Sequence, residues 1–177
     1  GEYMSAVLNH AGSIDKITFF MEECKRMGIK VLGPDINESL QGFSVNKNGE
    51  IRFGLGGLKG VGESAIEAII QERNKGGHFE NMIDFIKRVL SRAVNKKSLE
   101  SLAYSGTFDC FPEYHRAQYF NTGDGDRTNG MEKLIAYAQA IQSMTTGTTN
   151  TLFGDLPSAM QVPIPKLAAC EEWTLTE

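Results

Sequence analysis

The sequence predicts a mainly α chain carrying one small β-hairpin. Three observations lead there. Apolar residues recur at three- and four-residue spacing in successive stretches along the 177 residues. Ser13, Asn81 and Asn95 stand just ahead of three of these stretches, where a helix needs a side-chain cap. Strict alternation occurs around a single turn signal: Phe43 and Val45 before Asn48-Gly49, then Ile51, Phe53 and Leu55 after it.

Taken in order, residues 2–8 enter a helical pattern with no cap ahead of them. Ile14, Ile17, Phe20, Met21, Cys24 and Met27 form the stripe of a second helix, with Ser13 to start it and Gly28 to end it. Ile29-Lys30-Val31 alternates briefly, and Gly33-Pro34-Asp35 turns the chain toward the hairpin. A helix from Glu63 to about Arg73 carries Ile66, Ile69 and Ile70 and stops at Gly76-Gly77. Asn81 caps a helix bearing Met82, Phe85, Ile86 and Val89, and Asn95 caps one bearing Leu99, Leu102 and Ala103. Pro112 is expected to open a further helix through Arg116 and Phe120. Asn121 to Gly130 reads as a loop, and Met131, Leu134, Ile135, Ala138 and Ile141 mark the last helix. Thr, Gly and Asn dominate from Ser143 to Thr151, a linker by composition, so few contacts are expected beyond Gln142.

A hydrophobic content of 41% supports a modest core. The net charge of −4 argues mildly against a dedicated nucleic-acid binder, but the charge is uneven: Lys87, Arg88, Arg92, Lys96 and Lys97 cluster with no acid between them. The 3 cysteines and 3 histidines are scattered without ligand spacing, which favours reduced thiols of a cytosolic protein over a zinc site or disulfide framework. No membrane-length apolar run is present, and no metal or cofactor site is expected. Both ends read as cuts from a longer protein.

The segment with the most chemistry is Leu58-Lys59-Gly60-Val61-Gly62-Glu63-Ser64-Ala65-Ile66. Two glycines around one apolar residue allow a tight turn and close approach to another molecule, and the following helix presents unpaired N–H groups there. Such a turn suits a phosphate. Gly60-x-Gly62-x-x-Ala65 fits the dinucleotide fingerprint formally, but the preceding strand belongs to a hairpin and a helix pattern follows where a parallel strand with its terminal acid is needed. No Gly-Lys-Ser/Thr follows to make a P-loop. The remaining reading is a helix-hairpin-helix, apolar-x-Gly-apolar-Gly, whose amides hold DNA phosphates without reading bases. A weaker copy lies at Gly106-Thr107-Phe108, after Leu99 to Ser105 and before Arg116, with the basic run between the two turns. Expected DNA-binding residues are Lys59, Gly60, Val61, Gly62, Glu63, Ser64, Arg92, Lys96, Lys97, Gly106, Thr107 and Arg116. No catalytic residue is expected: Asp124-Gly125-Asp126 is the only Asp-x-Asp and reads as a polar turn.

The order of segments resembles the bacterial DNA polymerase III alpha subunit family, the C-family replicative polymerases. The matching segments include Glu22 to Leu32, Pro34-Asp35-Ile36-Asn37, Ile51 to Gly56, Leu58 to Gly62, Ala65 to Ile69, Val94 to Lys97, Leu99 to Leu102, Gly106 to Asp109 and Arg116-Ala117-Gln118. The resemblance implies that residues 1–55 end a fingers region and that 56–122 form tandem helix-hairpin-helix motifs gripping duplex DNA. A loop and helix follow at 123–142, then a flexible linker at 143–177. It also implies a sliding-clamp contact at Leu152 and Phe153, although Thr149 stands where the family has Gln. The parent chain it implies is a DNA-directed DNA polymerase, a nucleotidyltransferase of the bacterial cytoplasm working with Mg2+ and other replicative subunits. Its catalytic aspartates lie before Gly1, leaving this segment non-catalytic. The alternatives are a helix-hairpin-helix repair enzyme of glycosylase type, with Asp84 after the hairpin, or a protein-interaction module acting only through Leu152-Phe153.

Overall fold

A computed structural model describes residues 1–90, 93–123, 125–147 and 162–174, with backbone alone at 145–147. Helices α1 (Glu2–Asn9) and α2 (Ile14–Arg26) open the chain. Ser13 caps α2 through its hydroxyl, and Gly28 follows in the left-handed region at φ +69°. Strands β1 (Val31–Leu32), β2 (Ser44–Val45) and β3 (Ile51–Arg52) form a sheet in the order β1-β3-β2. The expected hairpin is β2–β3, pairing Val45 with Ile51. Its loop is a three-residue type: Asn46 exchanges backbone bonds with Gly49 and Glu50, and Gly49 takes φ +77°. The parallel pairing of β1 with β3, Val31 to Ile51, was not expected. Two residues of alternation are too few to announce a strand.

A 3-10 turn (Leu55–Gly57) leads to α3 (Glu63–Gly76), α4 (Met82–Val89), α5 (Lys96–Tyr104), α6 (Arg116–Phe120) and α7 (Gly130–Gly147). Asn81 and Asn95 cap α4 and α5 as expected, accepting from Asp84 and Ser98 N–H groups. Two hydrophobic cores result. The smaller joins Met4, Leu8, Cys24, Phe43 and Ile51, under α1, α2 and the sheet. The larger runs from Ile36 and Leu55 through the apolar faces of α3 to α7. Two asparagine amides cross-link remote segments. Asn9 donates to the Phe43 carbonyl and accepts its N–H; Asn37 does the same with Phe79.

Three expectations are corrected. Pro112 lies in a turn, and α6 begins only at Arg116. Tyr114 and His115 stay outside the helix and bond carbonyls of residues 165 and 170. The last helix passes Gln142 and ends at Gly147, because a helix already nucleated by its buried stripe extends through weak formers at low cost. Finally, residues 162–174 are not loosely held. Leu167 is buried in the larger core, and Trp173 stacks on Phe120 and Tyr104 with ring centroids 5.4 and 5.6 Å away. His115 Nε2–H donates to the Cys170 carbonyl at 3.1 Å. This proline-containing segment is an extended strap over α5 and α6.

Candidate nucleic-acid interface

The first glycine turn is built from below by apolar contacts. Leu58 and Val61 pack against the larger core, while Lys59, Gly60, Gly62, Glu63 and Ser64 are exposed. The Val61 N–H closes the turn onto the Leu58 carbonyl at 3.5 Å. Gly60 sits at φ +91°, where a side chain is strained. A Cβ there would also stand 2.6 Å from Ser101 Oγ on α5, so the turn lies directly on that helix. Gly62 is the N-cap of α3 and offers no side chain to its N–H groups. Among the described residues nothing in the protein accepts from the Glu63 or Ser64 N–H. Ala65 and Ile66 bury themselves one turn later and hold the helix end in place. The turn thus combines exposure, free amide donors, one cation at Lys59 and a fixed backbone.

The second turn is different. Gly106, at φ +78°, ends α5: its N–H bonds the Ala103 carbonyl and the Thr107 N–H bonds the Leu102 carbonyl. Thr107 is fully buried, its hydroxyl 2.7 Å from that of Ser105 and its carbonyl accepting from Ile36 N–H. Arg116 lies against Gly106 and bonds both carboxylate oxygens of Asp109, at 3.0 and 3.1 Å from Nε. That carboxylate raises the guanidinium pKa above its usual value. The Gly106 and Thr107 N–H donors of this turn are used inside the protein.

The basic run is also divided. Lys87 stands over the Tyr137 ring. Arg88 turns inward, donating to the carbonyls of Glu72, Gly77 and His78 and pairing with Glu72 and Asp84. Lys96 bonds Glu132 at 2.6 Å, which raises the ammonium pKa, and lies 3.7 Å from Glu100. Lys97 is exposed with no ion pair among the described residues. Arg92, Leu152 and Phe153 lie outside the described residues, as do Thr149 and Asp124. Asp84 accepts from the Glu80 N–H and from Arg88, so it is fixed as a cap and ion-pair partner.

Some supporting residues carried no recognisable signal in the sequence. Arg73, on α3, is buried and donates to the Ile36 carbonyl at 2.8 Å; burial pushes its pKa down, against the pull of Asp35. The Asn129…Glu132 pair is a reciprocal cap for α7, each side chain accepting the other's N–H at 2.9 Å. Its spacing is the capping-box spacing and was readable. Among the described residues no His, Cys, Asp and Glu group could hold a metal, and no helix is long and apolar enough to cross a membrane.

Comparison with known proteins agrees with this geometry. A family model described as a helix-hairpin-helix motif matches residues 28–119. DNA polymerase III subunit alpha of Escherichia coli (strain K12) is 37% identical over 173 residues, which is 97% of this chain and 14% of that protein. The Vibrio cholerae subunit is 36% identical over the same shares, and that of Pasteurella multocida is 44% identical over 70% of this chain and 11% of its own length. The chain therefore spans about one ninth to one seventh of these relatives. From the exposed glycine turn on its helix scaffold and from this match, the chain belongs to the helix-hairpin-helix family, in the form found in DNA polymerase III alpha subunits.

Proposed function

We propose that the chain is a non-catalytic segment of a replicative DNA polymerase and holds duplex DNA by its phosphates at the Lys59–Ser64 turn. The open amide donors of Glu63 and Ser64 beside Lys59 are the observation that carries this reading. Contacts of that kind bind any sequence equally, as a polymerase moving along its template requires. Lys97 extends the surface as an exposed cation, and Arg92 is included among the DNA-binding residues from the sequence alone. The second turn, with its donors engaged internally, supports the first rather than matching it.

The same reading places the longer protein in the bacterial cytoplasm, with Mg2+ held by catalytic carboxylates elsewhere in it. The described residues bring together no ligand set for that ion, so no step here runs through it. Contact with a sliding clamp through Leu152 and Phe153, and with other replicative subunits, belongs to the proposal as well. The glycosylase alternative is disfavoured by the engagement of Asp84 with Arg88 and the Glu80 N–H.

The structure separates the two glycines for a test. A Cβ at Gly62 meets nothing closer than Ser64 Oγ at 4.0 Å, and the backbone there is ordinary extended. Gly62→Val should therefore keep the fold while crowding the amide donors. Measured by fluorescence anisotropy on a labelled duplex, it should lower affinity about tenfold, on the order of two lost phosphate hydrogen bonds. Unchanged affinity with unchanged helix content would reject the turn as the DNA site.

A further inference from the structure

A cleft of about 440 Å³ opens between α5, α6 and the strap, and no residue of the Lys59–Ser64 turn lines it. Tyr104, Tyr114 and Trp173 give it aromatic walls, and Asp109, Arg116 and Glu172 give it charge. Tyr104, Phe120 and Trp173 are mutually stacked within 18° of parallel, so they form one rigid platform. Tyr104 is 58% exposed, unusual for a ring with two stacking neighbours. The volume lies within the ~300–1,000 Å³ range typical of ligand sites.

The charge selects the ligand. Arg116 is already held by both oxygens of Asp109. Glu172 has no hydrogen bond or ion pair among the described residues, although it is close enough to Arg116 to raise the guanidinium pKa further. Asp109 and Glu172 both line the cleft, so carboxylates outnumber the single guanidinium there. Phosphate would meet repulsion. A cation would meet ring faces and an uncommitted carboxylate, the combination that recognises guanidinium and ammonium groups.

We propose that this cleft binds a basic side chain, an arginine or lysine presented by a partner protein, between the Tyr104–Trp173 platform and Glu172. The inference stands apart from the DNA reading, since it does not use the Lys59–Ser64 turn.

Trp173 is the only tryptophan, so its fluorescence reports the cleft directly. The 177-residue chain is titrated with N-acetyl-arginine amide, with the uncharged N-acetyl-citrulline amide, and with dAMP. The expected result is a saturable change in Trp173 emission with the arginine compound and none with the other two. Glu172→Gln, an exposed change that should leave the helix content intact, should weaken arginine binding several-fold. Three outcomes overturn the proposal. One is an equal response to citrulline, and another is a Glu172→Gln protein that binds arginine as well as the parent. The third is a saturable response to dAMP alone, which would make the platform a base-stacking surface. Duplex affinity should be unchanged in Glu172→Gln, so failure here is distinguishable from failure of the DNA reading.

Discussion

Gly60 rests on Ser101: a Cβ at position 60 would lie 2.6 Å from the Ser101 hydroxyl oxygen. The contact joins the exposed turn to the middle of α5, so the turn has little freedom to rearrange. Gly60→Ala meets two separate penalties, the hydroxyl and the positive φ of +91°. We expect a destabilisation of about 1–3 kcal/mol by chemical denaturation. In a Ser101→Ala background the neighbour becomes the Cβ at 3.6 Å, an ordinary contact, so only the conformational part should remain. Equal costs in both backgrounds would show that the hydroxyl moves aside freely.

Lys59 is exposed with no partner among the described residues and stands beside the open amides. Lys59→Ala should weaken duplex binding uniformly across sequences and reduce the slope of log K against log salt by ~1. Arg116→Ala should leave that slope nearly unchanged, because its guanidinium is engaged by Asp109. Anisotropy titrations between low and moderate salt separate the two. A larger slope change for Arg116 than for Lys59 would invert the assignment of the two turns.

Arg73 offers a buried donor to a buried carbonyl. Replacing it with Met keeps much of the volume but leaves the Ile36 carbonyl unpaired. The orphaned acceptor costs about 1–3 kcal/mol, partly offset because a desolvated charge also disappears. Urea denaturation of Arg73→Met should give a net loss near the lower end of that range. A more stable variant would mean that burial of the guanidinium outweighs its hydrogen bond.

The carboxyl of Glu132 is held below its usual pKa of 4.5 by Lys96, with help from the Asn129 N–H. A depressed folded pKa contributes stability that is fully present above the unfolded value and is lost as pH falls through the folded one. Melting temperature should therefore drop below about pH 5, and Glu132→Gln should flatten that part of the curve. The matching rise at Lys96 places its own loss at the alkaline end, above the usual 10.5. Both groups are at the surface, so added salt should reduce the effect. An acid limb identical in Glu132→Gln would exclude this pair as its source.

Leu167 anchors the strap from within the larger core. Leu167→Ala should cost ~2–4 kcal/mol by denaturation. If the strap detaches as a unit, Trp173 emission should shift to the red before the helices unfold. Simultaneous loss of both signals would instead make the strap an integral part of the core.

Local rules made most of the helices legible. Ser13, Asn81 and Asn95 cap the helices they were expected to cap, and Asn48-Gly49 lies in the loop of the expected hairpin. These signals act within four residues. What sequence reading missed depends on distant partners. Pro112 does not open a helix, because Tyr114 and His115 reach carbonyls some fifty residues away. Residues 162–174 lack periodicity, so nothing local showed that Leu167 finds a core and Trp173 a stack. The glycine turn was readable because its needs are local to the backbone. The unequal roles of the two turns were not, because they depend on what Thr107 and Arg116 touch.

Arg88 caps the carbonyl end of α3, donating to Glu72 and Gly77, while the amide end at Gly62 carries no cap at all. The carbonyl pole is therefore compensated by a guanidinium, while the amide pole keeps its N–H donors open and has only the Glu63 carboxylate of the first turn to offset part of its dipole. The aligned peptide units of this fourteen-residue helix direct their N–H donors at the turn, where Lys59 adds a cation. A chain with a net charge of −4 can in this way offer an anion one attractive point of approach without being basic as a whole.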